Sequence, residues 1–441
     1  MNYIVVILVL SFIAYKIYQK TRVPEGLKNI PTLSFLDLLI EIFTKVGPDK
    51  RWEDTRDVLE KEGIGKLWFN GQWTITVTDL GLVKDIMTKT DLYPKALLKE
   101  SFPTSLLTKY YGTNVVLSNG DVWKRHRRIA NPSFRNLPID NEPIEVKSLM
   151  HRLALDVLGK AAFGFDFNNL EDPNNVYVTT YNEVMAELSK PLYFVFSFLD
   201  YLPRFEALRK IEKLNSLYDE IVESKHKAMK MGEIEKKINN KSADLLEHMV
   251  YACNDPDNPT LTNEELRDTQ KKVRDEILRV LGDNLIPSVE QQKELKYMNM
   301  VINENLRLYP PVAQLPRRLN SQEIKFRNHV IPAKTPIVLF IYGIHHSSRN
   351  WKDPEKFIPE RFENEKHDHY SWLGFGGGNR LCLGINFSLI EQRIMLCALL
   401  RKYEVSLPAD SIHKDKLQIE PEVSGTSGPH PVPLIFKRRT E

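Results

Sequence analysis

Apolar residues recur every third or fourth position through long stretches of this chain, the spacing of helices that bury one face. The stretches are 82–88, 146–162, 208–231, 242–252, 262–281, 288–308 and 385–402. Within 288–308 the stripe runs Leu295, Met298, Ile302 and Leu306. Short alternating or β-branched runs predict strands at 66–78, with a turn at Gly71, and at 323–326, 330–331, 335–341, 403–407 and 432–436. The pattern predicts a mainly α protein with a minor β-sheet region. Residues 232–241 are charged and predict an exposed loop, while 177–203 is rich in Phe, Tyr and Leu. No internal repeat is evident.

The N-terminus follows a different pattern. Tyr3 to Tyr15 is continuously apolar or small, and Lys16, Lys20 and Arg22 come only after it. As a helix, residues 1–18 reach about 27 Å if Lys16 snorkels, close to the ~30 Å of a hydrocarbon core. A cleaved signal peptide carries its charge ahead of the apolar run and small residues at a cleavage site. Neither is present. The expectation is an uncleaved signal anchor over 1–18 in the endoplasmic reticulum membrane, with the body cytosolic by the positive-inside rule. A stiff linker containing Pro24 and Pro31 follows over 19–34, then a single large domain over 35–441.

Composition narrows the classes. A chain of 441 residues, 42% hydrophobic, can bury one substantial core. A net charge of +3 gives no electrostatic case for a nucleic-acid binder. Cys253, Cys382 and Cys397 are too few, and odd in number, for a disulfide framework. Cys397 falls on the apolar face of its helix with Ile390 and Ile394, a packing position.

Cys382 is different. It lies in Phe375-Gly376-Gly377-Gly378-Asn379-Arg380-Leu381-Cys382-Leu383-Gly384, just ahead of the 385–402 helix. Helix N–H groups and Arg380 would stabilise a thiolate there, making it a nucleophile or a metal ligand. The glycines allow close approach of something flat and bulky, and Arg380 can pair bidentately with a carboxylate. Taken alone, the segment also fits a helix-start turn around a buried cysteine. Glu304 and Arg307 share a helix face at i, i+3, and Arg361 follows in Phe357-Ile358-Pro359-Glu360-Arg361-Phe362. Trp123 and Arg127 stand one helical turn apart, amid Lys124, Arg125 and Arg128. That basic run fits either a solvated helix face or a nucleic-acid patch when read in isolation.

Together the spacings F-x-x-G-x-R-x-C-x-G, E-x-x-R and W-x-x-x-R resemble the cytochrome P450 superfamily. The resemblance covers nearly the whole chain. It implies a haem b cofactor with Cys382 as the axial iron ligand and Phe375 packed near the sulfur, the haem-binding loop being 375–384. It implies that Arg380, Trp123, Arg127 and Arg317 hold the haem propionates. Glu304, Arg307 and Arg361 would form a buried ion triad, structural rather than catalytic, and 177–203 a substrate lid. Electrons would pass from NADPH through NADPH–cytochrome P450 reductase, with cytochrome b5 as a further donor, docking on Lys124, Arg125 and Arg128. The substrate would be a hydrophobic small molecule, and nucleic acid is not a partner.

One departure matters most. The family's distal helix carries an A-G-x-[DE]-T-[TS] segment whose acid and alcohol deliver protons to iron-bound oxygen, and it is not found here. Residues 261–268 read like the approach to that helix and 269–278 like the helix after it. About thirty residues, a rod of ~45 Å, are missing at Asp268–Thr269, an internal deletion. Thr262 and Thr269 have the wrong neighbours to substitute, so no catalytic residue is assignable. A smaller gap falls near 136–141. Leaving several hundred Å² of apolar surface wet costs on the order of 10 kcal/mol, comparable with the stability of a domain. Gly374, where relatives often carry proline, is expected to loosen the loop slightly. Three readings stay open: a competent monooxygenase, a haem-thiolate protein that does not activate dioxygen, and a splice or gene-model variant without catalysis.

Overall fold

The computed structural model describes residues 21–34, 47–69, 72–97, 116–124, 176–188, 204–230, 263–282, 287–363, 367–407 and 435–439, with a few isolated positions besides. The predicted helices at 146–162 and 242–252, the loop at 232–241, Arg127 and Cys253 lie outside them. So does almost all of the expected anchor 1–18. Among the described residues no helix is long and apolar enough to cross a membrane.

The N-terminal part of the described chain holds α1 (Pro48–Glu62), β1 (Ile64–Phe69), β2 (Gln72–Val77), α2 (Leu80–Thr88), α3 (Val176–Leu188) and α4 (Phe205–Lys230). Then come α5 (Asn263–Leu281), α6 (Val289–Glu294) and α7 (Lys296–Leu308). Four short strands follow: β3 (Arg318–Leu319), β4 (Ile324–Phe326), β5 (His329–Ile331) and β6 (Pro336–Leu339). The chain closes with α8 (Ile341–His346), α9 (Ile385–Lys402), β7 (Tyr403–Ser406) and β8 (Ile435–Arg438). The fold is mainly helical with a small sheet, as the hydrophobic pattern predicts.

The main sheet runs β1-β2-β6-β3. β1 and β2 pair antiparallel with Ile64 opposite Val77, and β2 runs parallel to β6 with Ile75 opposite Ile337. β4 pairs with β5 and β7 with β8, each antiparallel. The segment expected as a linker is docked on this sheet: Leu33 N–H donates to Lys66 O and Lys66 N–H to Pro31 O, at 2.7 and 2.8 Å, and Leu27 and Ile30 are buried.

Tertiary contacts reset several boundaries. The apolar stripe predicts one helix over 288–308, but the chain breaks at Leu295 into α6 and α7. Ser288 and Gln291 form a capping box on α6. The buried Glu276 carboxylate then accepts Tyr297 N–H and Met298 N–H at 2.9 Å each, capping α7 from a neighbouring helix. The strand predicted to 341 stops at Leu339, because Phe340 N–H makes the last bond to Val77 O and its carbonyl then starts α8.

Two apolar clusters meet at the C-terminal core. One gathers Ile64, Ile75, Val77, Ile86, Met87, Ile337, Leu339, Ile344 and Leu373. The other gathers Val273, Ile277, Leu295, Met298, Ile302, Leu306, Cys397 and Leu400, with Trp372 and Phe375 against it. Leu373 thus belongs to one cluster while its neighbours Trp372 and Phe375 belong to the other. The cysteine loop is anchored across the seam. Burial, with Glu276 nearby, pushes the Cys397 thiol up to about 12, consistent with a packing role.

α5 passes without interruption through Asp268 and Thr269, the proposed join. Just past it, Gln270 is buried and completes β7 like an extra strand residue. Its amide donates to Val405 O at 2.8 Å and accepts Val405 N–H at 3.0 Å.

Candidate active site

The loop carrying Cys382 folds back on itself. Gly376 N–H donates to Leu373 O at 2.8 Å, Gly378–Arg380 form one 3-10 turn, and Cys382 N–H returns to Phe375 O at 2.9 Å. Gly376 and Gly378 both take positive φ, +72° and +57°. A β-carbon on Gly378 would lie 2.6 Å from Met87 O, so the loop backbone rests directly on the end of α2. Cys382 itself is only partly buried, two residues before Gly384 caps α9.

Gly374 admits close packing: a β-carbon there would stand 2.9 Å from the Trp372 ring and 3.2 Å from Leu306 Cβ. Trp372 is pinned in turn by its indole N–H on Asn303 O at 3.1 Å and lies edge-on to Phe375.

Arg380 leaves the loop toward residues 118–123. Its Nη1 donates to Ser118 O at 3.0 Å, and its guanidinium carbon stands 3.8 Å over the Trp123 ring, a cation–π stack. Asn119 ties this corner to a neighbouring strand, accepting Lys95 N–H at 2.9 Å and donating to Lys95 O at 2.7 Å. Two residues named from sequence, Arg380 and Trp123, therefore come together.

The structure adds Arg318, which the sequence reading passed over in favour of Arg317. Residues 317–319 are extended, with Ala96 N–H on Arg317 O and Leu319 N–H on Pro94 O, so adjacent side chains point to opposite faces. Arg318 feels the positive charge of Arg380, while burial also holds Arg317 below its ordinary value. Arg318 is 2% exposed, donates to Tyr93 O at 3.1 Å and lies 3.7 Å from Met87 Sδ. No carboxylate pairs with it among the described residues, and its Nε is buried without a hydrogen-bond partner. Burial first, then the positive charge of Arg380, brings it down to about 10. The Arg317-Arg318 doublet was the available sequence signal, and burial depresses both arginines.

A buried cation with an unused donor and no counter-ion is costly unless an anion completes it. A haem meets that need: one propionate could satisfy Arg318 and Arg380 while Cys382 supplies the iron ligand. The residues present fit the group.

Behind the loop the predicted ion triad is formed. Arg307 Nε and Nη2 donate to Glu304 Oε2 and Oε1 at 2.8 and 3.0 Å, and Arg361 Nε donates to Glu304 Oε1 at 3.1 Å. Ile358 N–H adds a fourth donor at 2.8 Å. Arg307 also donates to His345 O and Lys356 O at 2.7 and 3.2 Å, and Arg361 to Asp353 O at 2.6 Å. Every charge is paired and nearly every lone pair is used, the condition under which a buried triad is tolerated.

Comparison with known proteins agrees. A sequence profile described as Cytochrome P450 matches residues 38–141, 138–269 and 267–430. Cytochrome P450 monooxygenase xanG of Aspergillus fumigatus is 26% identical over 457 aligned positions, covering 87% of this chain and 83% of the relative. Cytochrome P450 3A11 of Mus musculus is 25% identical over 453 positions, covering 88% and 86%. The chloroplastic protein LUTEIN DEFICIENT 5 of Arabidopsis thaliana is 25% identical, covering 88% and 72%. With the profile accounting for most of its length, the chain belongs to the cytochrome P450 family of haem-thiolate monooxygenases, oxidoreductases by class.

Proposed function

We propose that Cys382 holds a haem iron as thiolate, that Arg318, Arg380 and Trp123 seat its propionates, and that Arg127 and Arg317 join them as the family pattern implies. The observation that carries this is the pair of arginines held down by burial, Arg317 and Arg318, the second feeling the charge of Arg380 and paired with no carboxylate among the described residues. When bound, haem supplies the oxygen-activating chemistry by which one oxygen atom enters a substrate. The chain's own residues hold and orient it. The loop bond from Cys382 N–H to Phe375 O sets the backbone that carries the sulfur, and Trp372 and Phe375 pack the start of the loop against the cluster of α5, α7 and α9. The substrate is a hydrophobic small molecule. NADPH–cytochrome P450 reductase is the electron donor, cytochrome b5 a further one, and residues 1–18 anchor the chain in the endoplasmic reticulum membrane.

A second reading is favoured by α5. The profile match changes segment at 267–269 and again at 138–141, where the sequence suggests deletions. The alignment to the fungal relative spans 457 positions although the chain has only 441 residues, so the relative carries residues that this chain lacks. Across the join, Gln270 is committed to Val405 rather than to the cysteine loop. These observations support a protein that takes up haem and is impaired in oxygen activation.

One experiment tests both. The purified chain is loaded with hemin, reduced under carbon monoxide and scanned. A strongly red-shifted thiolate–CO Soret band that vanishes in Cys382→Ala is expected. Turnover with NADPH and reductase then separates the competent from the impaired reading. Absence of haem uptake by a folded chain, or an unchanged band in Cys382→Ala, defeats the assignment.

A further inference from the structure

His345 is fully buried in α8, far in sequence from both the cysteine loop and the ion triad, yet it bonds to each. Its Nε2 lies 2.8 Å from Leu373 N, and its Nδ1 lies 3.0 Å from Arg307 O. A backbone N–H can only donate, so Nε2 accepts. A carbonyl can only accept, so Nδ1 carries the proton. Both ring nitrogens are spent and one neutral tautomer is dictated. Arg307 answers through its own side chain, Nη1 donating to His345 O at 2.7 Å. The two residues hold each other by two reciprocal bonds.

Leu373 begins the loop. Its carbonyl receives Gly376 N–H at 2.8 Å, and two residues on, Phe375 O receives Cys382 N–H at 2.9 Å. An unbroken series of bonded or adjacent groups thus runs from Glu304 through Arg307, the His345 ring and Leu373 to the backbone of Cys382. The His345 ring and the Trp372 indole are polar ties, among the described residues, between the triad helix and this end of the loop.

We infer that His345 is a positioning residue for the cysteine ligand. Its acceptor nitrogen holds Leu373 N–H, and with it the loop hairpin, at the setting the ion triad defines. Apolar packing is non-directional, and Leu373 and Phe375 pack into different clusters. A directional bond across the seam adds the orientation that packing does not specify. The inference rests on the haem-thiolate reading only for its spectroscopic consequence; the hairpin setting is a property of the chain itself.

The test compares His345→Phe, which keeps the ring shape and deletes the acceptor, with His345→Gln, whose amide oxygen can reach Leu373 N–H. A third form carries an ester in place of the peptide N–H of residue 373, with every side chain intact. Two readouts are taken on the full chain. Amide exchange at Gly376 and Cys382, without haem, should quicken roughly two- to twelve-fold in the Phe and ester forms, the effect of one lost bond of ordinary strength. Exchange in the middle of α7 should stay unchanged, and the Gln form should return toward wild type. In the hemin-loaded, reduced and carbon monoxide-treated protein, the Phe and ester forms should lose part of the thiolate–CO band to the unshifted band of a protonated sulfur. The Gln form should keep it.

Unchanged exchange and an unchanged band in the ester form overturn the inference, as does a Gln form no better than Phe. If His345→Phe fails to fold, the ester form decides. If the wild-type chain takes up no haem, the haem reading fails, and the exchange comparison still decides the role of His345.

Discussion

Glu304→Gln is the most incisive perturbation of the C-terminal core. Glu304 and Arg307 are both 0% exposed, and four N–H donors converge on the two carboxylate oxygens within 3.1 Å. An amide keeps the shape but offers one oxygen and one NH2. Oriented either way, its NH2 must face a guanidinium N–H, and two buried arginine charges lose their counter-ion. Breaking a buried pair by neutralising one partner costs about 3–5 kcal/mol. Against a domain stability of roughly 5–15 kcal/mol, that is a large fraction. The neighbouring Glu360 gives the control, since it is 45% exposed and pairs with Lys272 at 3.1 Å on the surface. Neutralising it should cost between 0 and about 1 kcal/mol. Urea unfolding followed by fluorescence reads the core directly, because the Arg307 guanidinium lies 5.3 Å from the Trp351 ring centroid. With a slope of ~3 kcal/mol per molar, Glu304→Gln should lower the midpoint by about 1 M or more, and Glu360→Gln by less than about 0.3 M. Equal shifts for the two variants would refute the claim that the triad is a dry, mutually compensated network.

Further outcomes follow from the loop and from titration. Gly378→Ala should abolish hemin retention, because the added methyl would meet Met87 O at 2.6 Å at a φ of +57°. Gly376→Ala, whose nearest neighbour is Arg380 O at 3.8 Å, should only weaken retention, and equal retention in the two variants, read by absorbance after desalting, argues against the loop resting on α2. Arg318→Leu should lower hemin affinity in a titration; an affinity equal to wild type would remove Arg318 from the propionate seat. Burial, and then the charge of Arg307, hold the His345 imidazole well below 6.5, so in the folded chain it stays neutral. Below about pH 6.5 the unfolded chain takes up a proton there that the folded chain refuses, so stability falls as pH drops, by up to ~1.4 kcal/mol per unit, and is unaffected above. His346 and Arg307 flank the ring and Glu355 faces His346, so the comparison is with His345→Gln, which keeps those groups. Its urea midpoint should fall less than that of wild type between about pH 7.5 and 5.5; equal falls would show that His345 does not carry this acid sensitivity.

Some of this was legible in one dimension. The stripe Leu295, Met298, Ile302, Leu306 is buried as its spacing requires, and the 385–402 helix has the predicted ends. Glu304 and Arg307 at i, i+3 had to share a face, and the glycine-rich run had to be a tight loop before a helix. Local periodicity and spacing are properties of the backbone, so a sequence can state them. The helix Pro48–Glu62 escaped because its apolar residues are sparse: only Trp52 and Leu59 among its larger apolar side chains are buried, and the rest of its surface is charged.

Everything that depends on which distant groups meet was decided in three dimensions. The register of residues 317–319 against 94–96 buried Arg318 against Tyr93 O and Met87 Sδ, a placement that shifting by one residue would reverse. Glu276 broke a continuous apolar stripe at Leu295 because a carboxylate from another helix was placed to cap the next one. Sequence alone carried the spacing around Cys382 and the family it signals. The tertiary structure alone placed His345 between the triad and the loop, because hydrogen bonds act over about 3 Å and partners brought that close can lie anywhere along the chain.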